Sequence, residues 1–356
     1  MFECYLTGKK IKTAKDDSGV DGSLEHIIPN SLGGQVKSEF ILTDEANRFL
    51  NEDIDKKFNS IFRSWVSRLD LKRDRKKTQS FSAVNRGYSV DVFYRNGKFF
   101  PKKPFFDRDK KAIYADSEKT AQNYKKHLIK KGEIEEGENV VVYDDLAGNF
   151  NVPFKLGNTI FKRGLGKIAA GYAAKNSVSR KNMKCVIDLD RNVIKERIVI
   201  APFLPTVTLE GFFEENKHRS SHYPIHSLVL YANKSSRLIY CYVELFSAFQ
   251  FYVLLDDDYD GNDIYKSYVY DLVAEKEIDY KEYANSIPER SYIFDSLPPY
   301  RIIDAKKFVQ LTHVSKEDLK FYCHRNFHAI EAFTNYYFLN KKLKYLEENI
   351  ESKGSE

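Results

Sequence analysis

Apolar positions near the start of the chain come in two short runs and then switch to helical spacing. A strand is predicted over residues 24–28, where Leu24, Ile27 and Ile28 flank Glu25 and His26, and a second over Phe40, Ile41 and Leu42. A helix is predicted next. Thr43 suits its N-cap, and Asp44 and Glu45 in the first turn suit the positive end of the helix dipole. Leu50, Ile54, Phe58, Ile61, Phe62 and Trp65 then recur on one face, with Asn47 and Asn51 on or beside it. Strand, loop, strand and helix make residues 1–66 a ββα unit.

Residues 67–356 read as a larger mixed domain whose fold the pattern does not name. Its first part, 67–111, is basic and aromatic, and a hairpin is predicted over 88–106 with Asn96 and Gly97 as its turn. A helix is predicted from 117 to 131 and another over 158–177, although Gly164, Gly166 and Gly171 interrupt the latter. Residues 183–201 and 227–255 are strand-rich, the second with a turn at Asn233, Lys234, Ser235 and Ser236. A last helix over 316–348 is followed by a frayed tail. The fold class is α+β: an N-terminal ββα unit plus a larger mixed α/β domain.

Composition narrows the function classes. With 356 residues, 42% hydrophobic, the chain can build about two domains of ordinary size. An aromatic content of 14% removes disorder as the default. A net charge of +6 is compatible with a polyanionic partner without establishing one. The cysteines Cys4, Cys185, Cys241 and Cys323 lie far apart with no C-x-x-C pair, which reads as a reducing compartment and neither a disulfide framework nor a thiolate zinc site. The N-terminus lacks the pattern of a signal peptide, and no apolar run reaches the roughly 18–20 residues of a membrane helix, so a cytoplasmic protein without membrane partners is expected.

One block carries chemistry: Glu25-His26-Ile27-Ile28-Pro29-Asn30-Ser31-Leu32-Gly33-Gly34, followed by Asn47 and Asp55. A histidine can take a proton from water, while a carboxylate and an amide oxygen suit a hard divalent cation set against a phosphate. The block resembles the HNH (ββα-metal) endonucleases, and within them the subgroup with C-x-x-C, then E-H-x-x-P-x-x-L-G-G, then C-x-x-C-N and an I-D dipeptide. The resemblance covers about the first 60 residues. Cys4 matches the first family cysteine, but Thr7, Thr43 and Ala46 stand at the other three positions, so no structural zinc is expected. The Thr43 cap is the local substitute, and the following domain is expected to brace the unit.

The resemblance implies His26 as general base, Asn47 and Glu25 as ligands of Mg²⁺ or Mn²⁺, and Ser38 and Asp55 in support. Because neighbours on a strand face opposite ways, Glu25 reaches a site shared with His26 only through a local distortion. Hydrolysis leaving 5′-phosphate and 3′-hydroxyl ends is implied. Read alone, His26 is more simply a buried histidine bonded to backbone; the flanking block and Asn47 turn the reading to catalysis. Lys72, Arg73, Arg75, Lys76 and Lys77 are either a solvated loop or a contact to the DNA backbone, which Arg86, Arg95, Lys98, Lys102 and Lys103 would extend. His218, His222 and His226 read as a polar loop because Pro224 forbids a single helix. His324, His328 and Glu331 read as a packed helix face.

The expectation is therefore a divalent-metal-dependent endonuclease acting on DNA in restriction or phage defence, with double-strand cleavage favouring a homodimer. A DNA-binding protein with a lapsed nuclease, and a signal-triggered effector nuclease acting on DNA or RNA, are the alternatives.

Overall fold

Thr43 and Ser117 each start a helix as their positions predict. The side chain of Thr43 accepts the N–H of Ala46 at 3.3 Å and that of Ser117 the N–H of Thr120 at 3.3 Å. The computed structural model describes residues 2–13, 17–69, 71, 80–95, 97–152, 158–205, 208–287, 302–303 and 305–315, with isolated positions between 325 and 343. The architecture is mixed α+β.

The chain separates into two compact units, and the division is not the one the sequence suggests. One unit joins Met1–Ser60 and Leu71–Arg73 to Leu156–Glu356; the other comprises Ile61–Asp70 and Asp74–Lys155. The N-terminal residues thus share a core with the C-terminal half.

The first unit begins with β1 (Glu25–His26), antiparallel to β2 (Lys37–Ser38), with Glu25 opposite Ser38 and His26 opposite Lys37. The partner strand is therefore not at 40–42. Ile41 and Leu42 are buried, and their carbonyls accept the N–H groups of Tyr5 (3.0 Å) and Ser23 (2.9 Å) instead. The chain then forms α1 (Asp44–Leu50), a π-helical turn over Asn51–Asp55 and α2 (Lys56–Ile61). Leu50, Ile54 and Phe58 are fully buried along them, as their spacing predicts.

The second unit contains α3 (Arg63–Leu69), β3 (Phe81–Asn85), β4 (Val90–Arg95), β5 (Lys98–Pro101), β6 (Phe105–Asp107), β7 (Ala112–Tyr114), α4 (Glu118–Lys130), β8 (Val141–Tyr143) and β9 (Phe150–Asn151). Its four-stranded sheet has the order β5-β4-β3-β9. Arg95 pairs with Lys98 at the end of the predicted hairpin, and Gly97 takes the positive φ of 80° that the turn requires. In the second sheet β7 pairs antiparallel with β6 and parallel with β8, and α4 makes the crossover between β7 and β8.

The rest of the first unit is α5 (Thr159–Lys175), β10 (Ile187–Asp188), β11 (Val193–Ile194), β12 (Ile200–Pro202), α6 (Thr208–Asn216), β13 (Ile225–Asn233), β14 (Leu238–Leu245), β15 (Phe249–Asp256), β16 (Ile264–Asp271), β17 (Lys276–Ile278), α7 (Tyr280–Asn285) and α8 (Ala305–Thr312). A six-stranded antiparallel sheet runs β12-β15-β14-β13-β16-β17. Its central strands are buried and mostly apolar on both faces because both are covered. Phe161 of α5 packs on Phe249 and Phe251, while Phe308 of α8 lies 5.9 Å from Tyr240, ring to ring. The predicted helix over 316–348 lies outside the described residues apart from isolated helical positions.

Candidate functional site

The motif stands on a turn–strand–helix frame tied together by backbone hydrogen bonds and an ion pair. Cys4 and Lys9 close a tight turn (Cys4 N–H to Lys9 O, 2.8 Å; Gly8 N–H to Cys4 O, 2.7 Å) at the place of the first family cysteine pair. Tyr5 N–H bonds the Ile41 carbonyl and Lys9 Nζ reaches Glu45 at 3.0 Å, tying the turn to the start of α1. The C-terminal half adds a clamp. Arg180 donates to the Leu6 carbonyl at 3.2 Å and to Leu189 O at 2.8 Å, and its backbone N–H bonds Glu3 at 3.2 Å. These contacts lie within one unit, which joins residues 1–60 to residues 156 onward.

The loop between β1 and β2 explains its two glycines. Gly33 has φ +87°, and a Cβ on Gly34 would stand 2.0 Å from the Ile28 carbonyl oxygen, so neither position admits a side chain without moving backbone. The Leu32 carbonyl in this loop accepts a hydrogen bond from His226 Nε2 at 2.9 Å, while His226 Nδ1 accepts the Phe246 N–H at 3.2 Å. His226 is therefore the neutral Nε2–H tautomer. It is fully buried, and burial pulls its pKa down to about 4.

His26 is partly exposed on β1, with its Nε2 facing the Asn30 amide at 3.4 Å. Asn47, half-buried on α1, donates from Nδ2 to Ser23 Oγ at 2.8 Å, two residues before Glu25. Helix and strand thus meet at the start of β1, and the amide oxygen of Asn47 is the atom left for a cation. Ser38 lies opposite Glu25 in the ladder. A cleft lined by Lys12, Asp21, Gly22, Leu24, Glu39 and Phe40 opens beside this strand.

Glu25 is placed otherwise than expected. Its carboxylate is buried, and Oε1 lies 2.7 Å from Lys167 Nζ of α5; the same ammonium bonds Asp55 Oδ2 at 2.5 Å. Strand alternation, with no distortion to offset it, sends Glu25 inward while His26 stays at the surface. Desolvation raises the Glu25 pKa, opposed by Lys167 and reinforced by Asp55. Burial pulls the Lys167 pKa down, but Asp55 and Glu25 outweigh it and leave it raised. One turn earlier Arg163 pairs with Asp53, its Nη1 at 3.2 Å from Oδ1. The residues read as a Mg²⁺ or Mn²⁺ pair do not fit that role together: Asn47 keeps an oxygen for it, whereas Glu25 is committed to Lys167.

Other candidates resolve individually. Of the proposed basic extension, Lys98 pairs with Asp144 at 2.5 Å and Lys102 lies 4.0 Å from Asp91, while Arg95 sits over the rings of Phe93 and Phe100 and keeps its charge. Lys72, Arg73, Arg75, Lys76 and Lys77 lie outside the described residues, as do His324, His328 and Glu331. His222 bonds Asp271 at 2.8 Å and His226 is a core bridge, so these two histidines hold different partners. Among the described residues, no group of three or more His, Cys, Asp or Glu side chains is placed to hold a metal ion. No described helix is long and apolar enough to cross a membrane.

Arg163, Lys167 and Arg180 are not among the residues singled out above, and His226, expected in a polar loop, is instead a fully buried residue of β13. For the first two a signal was present: Arg163 and Lys167 stand one helical turn apart in a segment rich in small and apolar residues, where a buried charge requires a partner. No protein-family model, curated protein or solved structure matches this chain.

Proposed function

We propose that the chain is an HNH-type endonuclease that hydrolyses phosphodiester bonds in DNA, with His26 as the base that takes the proton from the attacking water. The observation that carries this reading is the meeting of β1 and α1. His26 stands at the surface of a two-stranded ladder, and Asn47 reaches back from the first turns of the following helix to Ser23 beside that ladder. Asn30 Nδ2 lies 3.4 Å from His26 Nε2, so the Asn30 amide must give way for that nitrogen to take a proton from water. Restriction or phage defence is the setting this chemistry fits, with a homodimer where both strands are cut.

A second reading, a nucleic-acid-binding protein without hydrolysis, draws support from the commitment of Glu25 to Lys167. Cleavage of supercoiled plasmid, phage DNA and RNA by wild type and His26→Ala, each with Mg²⁺, Mn²⁺ or chelator, separates the two. Nicking or cutting by wild type that falls at least 100-fold in the variant is expected, the upper part of the range for loss of a general base being about 10⁴. Undiminished cutting by His26→Ala would remove His26 from the mechanism; binding without cutting under every condition would favour the second reading.

A further inference from the structure

We propose that Lys167 takes the place of a divalent ion at Glu25, so that the folded wild-type chain holds no metal on this carboxylate. The inference rests on the nuclease reading only for the identity of the excluded cation; the site itself stands on its own geometry. Nζ of Lys167 lies 2.7 Å from Glu25 Oε1 and 2.5 Å from Asp55 Oδ2, and the lysine side chain is 2% exposed. That is the position an ion bridging the two carboxylates would occupy. Adding a dication beside the ammonium would bring two positive centres together where little water screens them, so the two occupants exclude each other.

One ammonium is nevertheless an incomplete answer to two carboxylates. Asp55 Oδ1 is buried with no hydrogen-bond partner, and so is Tyr5 Oη, which lies within the electrostatic reach of both acids. Oxygen atoms left over around paired carboxylates are what a hard cation collects. The preference for lysine comes from the backbone that carries it. α5 is capped by Asn158, whose Oδ1 accepts the Phe161 N–H at 2.7 Å, and is tied down one turn before Lys167 by the Arg163–Asp53 pair. Its Gly164 is pressed so close to Phe58 that a Cβ there would stand 2.1 Å from the ring. Lys167 is thus carried on a helix anchored at both its capped end and its Phe58 side.

Equilibrium Mn²⁺ binding to the full chain, read by electron paramagnetic resonance, tests this without reference to cleavage. Wild type and Glu25→Gln are expected to bind the same number of ions, because neither holds one at Glu25. Lys167→Met is expected to gain one site, at least tenfold tighter than any in wild type, that the double variant Lys167→Met/Glu25→Gln lacks. A wild-type Mn²⁺ site lost in Glu25→Gln would overturn the proposal, as would a folded Lys167→Met that gains nothing.

Should Lys167→Met not fold, acylation of wild-type lysines followed by mass spectrometry still decides. Lys167 is expected to stay unmodified with and without Mn²⁺, whereas an amine that becomes reactive as Mn²⁺ is added would mean that the ion displaces it. Cleavage that fails while Lys167 stays protected counts against the nuclease and leaves this inference intact; cleavage with Lys167 protected means that the chemistry runs without a metal on Glu25.

Discussion

His226 shows how a single buried side chain makes the motif loop depend on pH. In the folded chain its Nδ1 already accepts the Phe246 N–H, so a second proton would set two N–H groups against each other in a fully buried site. Burial depresses the folded pKa to about 4, against the raising effect of the Leu32 carbonyl and below the unfolded value near 6.5. Below about pH 6.5 the unfolded chain binds the proton and the folded chain does not, so the contribution of His226 is complete above that pH and declines as pH falls. The expected slope is about 1.4 kcal/mol per pH unit between 6.5 and about 4, roughly 3 kcal/mol in all. Urea denaturation at pH 7.5, 6 and 5 of wild type and His226→Gln reads it as a difference. Parallel pH dependences in the two proteins would show that His226 is not the titrating group.

At the scale of elements, the contact that seats the motif is α5 against the helix carrying Phe58. Gly164→Ala would push a methyl group into that ring and is expected to cost about 1–3 kcal/mol, as overpacking of a tight core does. Thr43→Ala removes the cap of α1 and should cost about 1 kcal/mol. Both are checked by the denaturation midpoint at constant slope, and a Gly164→Ala chain as stable as wild type would mean that the helix can shift away from Phe58. These two features differ in how far the sequence displays them. Thr43, the apolar face through Leu50, Ile54 and Phe58, and the hairpin at Gly97 were legible because each is a local rule acting over a few residues. The partner of β1 was not: a strand of two residues has no period to read, and the apolar 41–42 pair that suggested a strand is buried through backbone contacts with Tyr5 and Ser23 instead. Nor was the destination of Glu25, since Lys167 lies 112 residues beyond Asp55 and only the fold joins them. Gly164 shows the converse case. It looked like a flaw in a helix, and it is the condition for that helix to approach Phe58.

For the whole molecule, the consequence is that the motif is not a portable module. The first 60 residues share a unit with residues 156 onward, and several of their polar groups find partners there: Glu25 and Asp55 share Lys167, Asp53 pairs with Arg163, and the Leu6 carbonyl accepts from Arg180. A fragment of residues 1–66 loses every one of these partners together with the cover that Phe161 gives Phe58, at a ring separation of 6.2 Å. It keeps the Thr43 cap and the Lys9–Glu45 pair, whose exposed ion pairing contributes at most about 1 kcal/mol. Leaving a buried carboxylate unpaired costs on the order of 3–5 kcal/mol, comparable to the entire stability of a small domain. The fragment is therefore expected to be unfolded at 25 °C, with a collapsed amide dispersion in its nitrogen–proton correlation spectrum and a coil-like circular dichroism spectrum. Zinc should not rescue it, because Cys4 alone of the four family cysteines is present. A dispersed spectrum from residues 1–66 would show that the turn, the ladder and α1 hold each other without help, and Lys167, Arg163 and Arg180 would then be ornaments on a self-sufficient unit. An unfolded fragment would instead mean that the candidate nuclease exists only as part of the larger sheet-bearing body, so that whatever disturbs α5 disturbs His26 and Asn47 with it.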